Sequence, residues 1–162
     1  MAVLTRFKFD FDSVFSADAN YRGSVAPNWA PLDVQWADGN DANEANLAWS
    51  TINNSIANGA TESIDLRALA GVFGTTLTMV EVRAILFRAK SGGGLTIKIG
   101  GTNGFDALGA AWTLYCPLGT HLHFICPTDG VLVTGASDKT IDIVNASGAA
   151  ATYDLVVIGT AA

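Results

Sequence analysis

The stretch KTIDIVNASGAAATYDLVVIG, residues 139–159, decides how the chain is read. Ile141, Ile143, Tyr153, Leu155 and Val157 share one parity, whereas Thr140, Asp142, Thr152 and Asp154 share the other. Successive strand residues point to opposite faces, so this interleaving marks two half-buried strands rather than a helix. The segment between them predicts a hairpin centred on Gly148, which would set Asp142 directly against Asp154. Sliding the register by two residues puts each Asp opposite a Thr and keeps the apolar set together, and that register is the expected one.

Working outward, the same period-two pattern recurs between clusters of Gly, Asn, Asp, Ser and Pro. It predicts strands over 61–69, 76–90, 94–100, 112–116, 121–126, 130–135, 139–145 and 152–159. The run 76–90 is near-continuously apolar through AILF, as in a strand covered on both faces, and so belongs in mid-sheet. Helical signals are nearly absent. The expected fold class is all-β, an antiparallel β-sandwich of jelly-roll type with a long irregular N-terminal segment. One domain is expected overall: an arm over residues 1–60 that contributes at most a strand, then the sandwich over 61–162. Within the arm, RFKFDFDSVF alternates as a half-buried strand, and LAWSTINNSIANG (47–59) fits a strand or a short helix.

A chain of 162 residues buries about 70% of its unfolded surface and needs no cofactor to fold. The net charge of −6 and nine scattered basic residues exclude a nucleic-acid binder, which needs clustered Lys and Arg to displace counterions. No apolar run approaches the roughly 20 residues of a membrane helix. Charges interrupt the N-terminal phenylalanines where a signal peptide needs an apolar block, so synthesis and folding in the cytoplasm are expected. Two cysteines in such a chain fit reduced, buried thiols.

The chemistry-bearing stretch is YCPLGTHLHFICPTDG, residues 115–130, which contains both histidines and both cysteines of the chain. With PLGT as a hairpin turn, Cys116 lies across from His121 and Cys126 across from Ala111, which rules out a disulfide between the two thiols. Cys116, His121 and His123 would then share a face with Trp112, Leu114 and Ile125, as three conceivable zinc or copper ligands. The H-x-H resembles that of metal-binding cupins, but Tyr115 stands where that motif places Gly, and Pro127 and Thr128 where it places Glu. A third histidine is lacking, so no metal and no cofactor are expected. Asp38, Asp41 and Glu44 gather in an acidic loop without EF-hand spacing. GGTNG lacks the Lys of a phosphate loop, and no G-x-S-x-G occurs. Nothing in the chain points to catalysis.

Phe7, Phe9, Phe11, Trp29 and Trp36 sit in the segment least able to bury them locally. They either complete the sandwich core or anchor the N-terminal arm on another subunit or surface.

From ESIDLRALAG (62–71), through LTIKIGGTNGF (95–105), to KTIDIVNASGAAATYDLVVIGTAA (139–162), the chain resembles the small jelly-roll structural proteins of tailed bacteriophages. The resemblance implies a non-enzymatic protein that decorates or cements the outer capsid surface. It implies a homotrimer, with the major capsid protein as partner and a variable N-terminal segment gripping the shell. Head-spike, tail or fibre roles remain open, and a carbohydrate- or receptor-binding module is the alternative that exposed Trp, Asn and Asp would serve.

Overall fold

A strand with one apolar face is stable only when a second layer covers that face. The computed structural model describes residues 5–9, 32–71, 74–92, 94–100, 104–108, 112–135 and 137–161, with backbone alone for 5–9, 32–33 and 97–99. In chain order the strands are β1 (Thr5–Phe9), β2 (Leu32–Trp36), β3 (Leu47–Ile56), β4 (Thr61–Asp65), β5 (Leu69–Ala70), β6 (Thr76–Leu77) and β7 (Met79–Ser91). They continue as β8 (Leu95–Ile99), β9 (Trp112–Cys116), β10 (His121–Ile125), β11 (Val131–Leu132), β12 (Thr140–Val144) and β13 (Ala151–Ala161). No helix occurs among the described residues.

The strands form two main antiparallel sheets. The first has the order β10-β7-β13-β3, with β11 also paired to β7, and the second has the order β4-β12-β8-β9. Among these eight principal strands the chain changes sheet at every connection except β8 to β9. That is the four-on-four strand order of a jelly roll, in which each strand turns one face to the gap between sheets. Two small pairs, β1–β2 and β5–β6, lie outside the main sheets.

The all-β fold agrees with the sequence reading, but two predicted hairpins do not exist. β12 and β13 lie in opposite sheets, so Asp142 pairs in register with Ser63 and Lys98, and Asp154 with Arg88. β9 and β10 are likewise in different sheets, paired to β8 and β7. In each case a short turn crosses the gap instead of folding the chain back in plane. The inward parity survives: Ile141 and Ile143 from one sheet meet Tyr153, Leu155 and Val157 from the other in a single buried cluster. Each such side chain contributes about 2 kcal/mol on burial. Phe87 and Tyr153, on the paired strands β7 and β13, stack within that core with ring centroids 5.8 Å apart. The undecided segment 47–59 is strand β3, an edge of the first sheet. The sandwich therefore begins before residue 61, and the expected boundary falls in the turn between β3 and β4.

One corner is held by a buried side chain. Asn145 is fully enclosed; its amide donates to Ile56 O at 2.9 Å and Ala149 O at 2.8 Å, while its oxygen accepts from Ser147 N at 3.0 Å and Ser147 Oγ at 2.6 Å. The β12–β13 turn is thereby fastened to the end of β3.

A second layer covers part of the outer side of the first sheet. Ile125, Ala84 and Ile158 form one cross-strand row, and Val34, Trp36 and Ala45 pack onto it as a small separate core. Trp36 is 0% exposed and donates its indole N–H to Pro127 O at 3.1 Å. Beside it, β7 carries one residue more than β13: Ala84 pairs with Ile158 and Val82 with Gly159, leaving Arg83 at a bulge. Gly159 permits this, since a Cβ there would overlap the Glu81 carbonyl oxygen. Arg83 is 2% exposed, and its guanidinium donates to Glu44 O at 3.1 Å, Thr128 O at 2.6 Å and Asp41 O at 3.0 Å, with Glu81 Oε2 2.9 Å away as counter-ion.

Arg83→Ala would take the guanidinium from three carbonyls, of which Asp41 O and Thr128 O keep a backbone donor, and would leave Glu81 without its counter-ion, so urea unfolding is expected to show a loss of about 3–5 kcal/mol. Arg83→Lys, which lacks the planar fork, should fall between wild type and Ala. Asn145→Asp would turn carboxylate oxygen toward two carbonyls, so its loss should exceed the roughly 2 kcal/mol expected of Asn145→Ala in the same assay.

Candidate functional site

The predicted ligand trio is not brought together. Cys116 ends β9 with its side chain buried in the main core, next to Leu95 in register. His121 and His123 are exposed on β10, while Leu122 and Phe124 between and beyond them turn toward the core. The thiol and the imidazoles therefore point to opposite sides of the first sheet. This corrects the shared face expected of them, and the cause is the missing β9–β10 hairpin. The two imidazoles meet edge to face with centroids 6.2 Å apart, and the cation of Arg88 is registered opposite His121. Among the described residues no group of three His, Cys, Asp or Glu side chains could hold a metal ion.

Neither thiol is activated. Burial pushes the Cys116 thiol above its ordinary range; burial does the same at Cys126, where the Arg83 charge opposes it. In the acidic loop, Glu44 Oε2 caps Asp41 N at 2.9 Å, while the carbonyls of Asp41 and Glu44 accept from Arg83. Backbone oxygens that a calcium ion would need are thus occupied by a guanidinium. The buried phenol of Tyr153 accepts from Asn54 Nδ2 at 2.8 Å, and the same amide nitrogen lies 2.7 Å from Glu62 Oε2. Burial raises the Tyr153 pKa well above the ordinary phenol value; the Asn54 bond opposes this and Glu62 reinforces it, so the hydroxyl stays protonated.

Of the aromatic anchor residues, Trp36 belongs to the core of its own chain and is unavailable to a partner. Of the two roles expected for it, core residue or interface anchor, Trp36 takes the first: the apolar row on the first sheet offers it a covered seat that the sequence does not reveal. Phe7 and Phe9 lie on β1, antiparallel to β2 with Phe7 opposite Val34 and Phe9 opposite Leu32. Phe11 and Trp29 lie outside the described residues. The β1–β2 pair thus joins the sandwich through the end of β2, where Trp36 is seated. Sequence reasoning missed Arg83, for which a charged residue inside the apolar run VEVRAILF is the available signal.

The outer side of the second sheet is different in character. Ser63 Oγ donates to Asp142 Oδ1 at 2.5 Å, and Lys139 Nζ bonds Asp65 Oδ2 at 2.7 Å. Tyr115 is 61% exposed there. Trp49 and Trp112 are only partly buried but pack against the main core, and the Trp49 indole donates to Ala70 O at 3.1 Å.

No protein-family model matches the chain, and no curated protein matches it. Among solved structures, a chain described under "Bacillus endospore appendages form a novel family of disulfide-linked pili" aligns at 13% identity with a TM-score of 0.40, covering 72% of this chain and 88% of that one. A likeness of that size carries no argument about this protein.

Two groups set a pH dependence. Burial, then the neighbouring His121 charge, lowers the His123 pKa below its ordinary 6.5. The unfolded chain therefore takes up the proton first, and the His123 contribution is lost as pH falls below about 6.5. At Asp65 burial raises the pKa, but the Lys139 bond and the Arg67 amide at 2.9 Å outweigh it and the net shift is downward from 3.8. Its contribution is present above that value and lost as pH falls through the lower folded one. In thermal melts from pH 8 to pH 2, His123→Gln should flatten the slope below pH 6.5 and Asp65→Asn the slope below pH 4.

Proposed function

We propose that this chain is a non-catalytic structural protein of a tailed-bacteriophage virion that decorates the outer capsid surface, binds the major capsid protein and stabilises the shell as a homotrimer. The observation that carries the reading is the way residues 34–46 are strapped to the outer side of a jelly roll by Trp36 and Arg83. This gives the chain N-terminal to the strap a fixed point of departure from a rigid body, as a gripping arm requires. The sequence resemblance to phage jelly-roll proteins supports the same reading. So does the charge of −6, which is repelled by packaged DNA and favours a position outside the shell. Thiols held protonated and a histidine pair beside an arginine fit a role in which the protein binds rather than reacts.

A protein that binds only assembled shell raises the stability of that shell with its own occupancy. Purified protein mixed with capsids that lack it should cosediment to saturation and raise the temperature of shell disruption, with mass measurement giving trimers. Deletion of residues 1–31, which spares Trp36, should keep the unfolding transition and abolish cosedimentation. Capsids that leave the full chain in the supernatant at all concentrations would overturn the reading.

A further inference from the structure

The outer side of the second sheet is built unlike any other surface of the molecule. Register places Tyr115, Thr96, Val144 and Thr61 in one row across β9, β8, β12 and β4, and Thr113, Lys98, Asp142 and Ser63 in the next. Neighbouring strands lie about 4.8 Å apart, so each row of this strip spans roughly 14 Å. Its polar groups are hydroxyls, with Asp142 the acid and Lys98 opposite it in register.

Tyr115 is set apart by how it lies. A Cβ added to Gly94 would stand 2.6 Å from the Tyr115 hydroxyl oxygen and 3.0 Å from the adjoining ring carbon. The ring therefore leans over the bare backbone of Gly94, which at φ 132° is in a conformation that L side chains rarely adopt. It leans along the sheet instead of standing from it, yet remains 61% exposed. This is the only largely exposed Phe, Tyr or Trp ring among the residues whose side chains are described. An aromatic ring backed by Gly94 and 61% exposed is an apolar platform preorganised at little entropic cost.

We propose that this strip is a binding surface for a neutral polysaccharide: one sugar ring stacks its C–H face on Tyr115, and a neighbouring sugar donates hydroxyls to Asp142. Ser63 fixes the carboxylate through the 2.5 Å bond to Oδ1, among the residues with described side chains Oδ2 keeps its capacity to accept, and the threonine hydroxyls both donate and accept. Neutral glycan is favoured over acidic glycan by the charge of −6. It is favoured over a protein partner because such an interface needs a desolvated apolar centre, and here Val144 is half-buried and flanked by threonines. The inference is independent of capsid binding and concerns the opposite side of the sandwich from the Trp36 strap.

The full chain would be run through native gels containing hydroxyethylcellulose, xylan, galactomannan, laminarin or dextran, with alginate as the acidic arm. At least one neutral polymer should retard it. Tyr115→Ala should weaken that retardation about tenfold, since one aromatic stack accounts for a factor of that order. Tyr115→Trp should preserve it, and Asp142→Asn should weaken it. Ile52→Ser, at an exposed position on the first sheet, should leave it unchanged. Circular dichroism and melting of each variant separate lost binding from lost folding. Absence of retardation by all five neutral polymers, retardation by alginate alone, or retardation that a folded Tyr115→Ala variant retains would each overturn the proposal. Cosedimentation with capsids, read separately, reports on the arm and not on this face.

Discussion

The crossing of the chain from one sheet to the other at almost every turn constrains everything else in the molecule. A hairpin satisfies its hydrogen bonds with its sequence neighbour; here β3 must find β13, and β12 must find β4 and β8. No piece of the chain can bury its apolar face until strands far apart in sequence are in place. Topologies of this kind close loops before contacts repay them, which slows folding. They also explain why a buried polar side chain such as Asn145 sits at a corner. There, the backbone groups of two sheet-crossing turns would otherwise lack partners.

The strap on the first sheet rests on a different balance. Trp36 supplies apolar burial, but the loop after it offers little more than Ala45 to the core. Its position is fixed by three carbonyls converging on one guanidinium at the β7 bulge. A desolvated cation is costly, and it is tolerated because its carbonyl acceptors and its counter-ion surround it. The bulge itself depends on Gly159, so a residue in the last strand makes room for a contact that holds the loop after Trp36.

The alternation of the strands was legible because burial on one face imposes period two whatever the partner. Ile141, Ile143, Leu155 and Val157 point inward as their parity requires. Pairing was not legible: parity says which way a side chain faces, not which strand lies beside it, and short turns such as PLGT and NASGAA can fold back in plane or cross the gap. That one ambiguity set Asp142 and Asp154 each opposite a threonine of a hairpin that does not form, and His121 opposite Cys116. Trp36 was visible as an aromatic in a polar segment, but its seat is assembled from β7, β10 and β13, which no local pattern reports. Tyr115 gave less signal still, because its posture depends on a glycine across the sheet.

The two outer faces of the sandwich have come to differ. One is partly roofed by the protein's own chain and gives rise to the N-terminal segment; the other is a bare strip of hydroxyls with a single reclining ring. With sheets about 10 Å apart, these faces look in opposite directions and can be engaged at once. Under the proposed function, attachment through the segment that precedes the strap would leave the second sheet turned outward, where what arrives from solution can meet it. A rigid jelly roll is well suited to such a division. Its core fixes the orientation of both faces, and exposed positions on either one, such as Ile52 and Tyr115, can change without touching the inward-pointing residues.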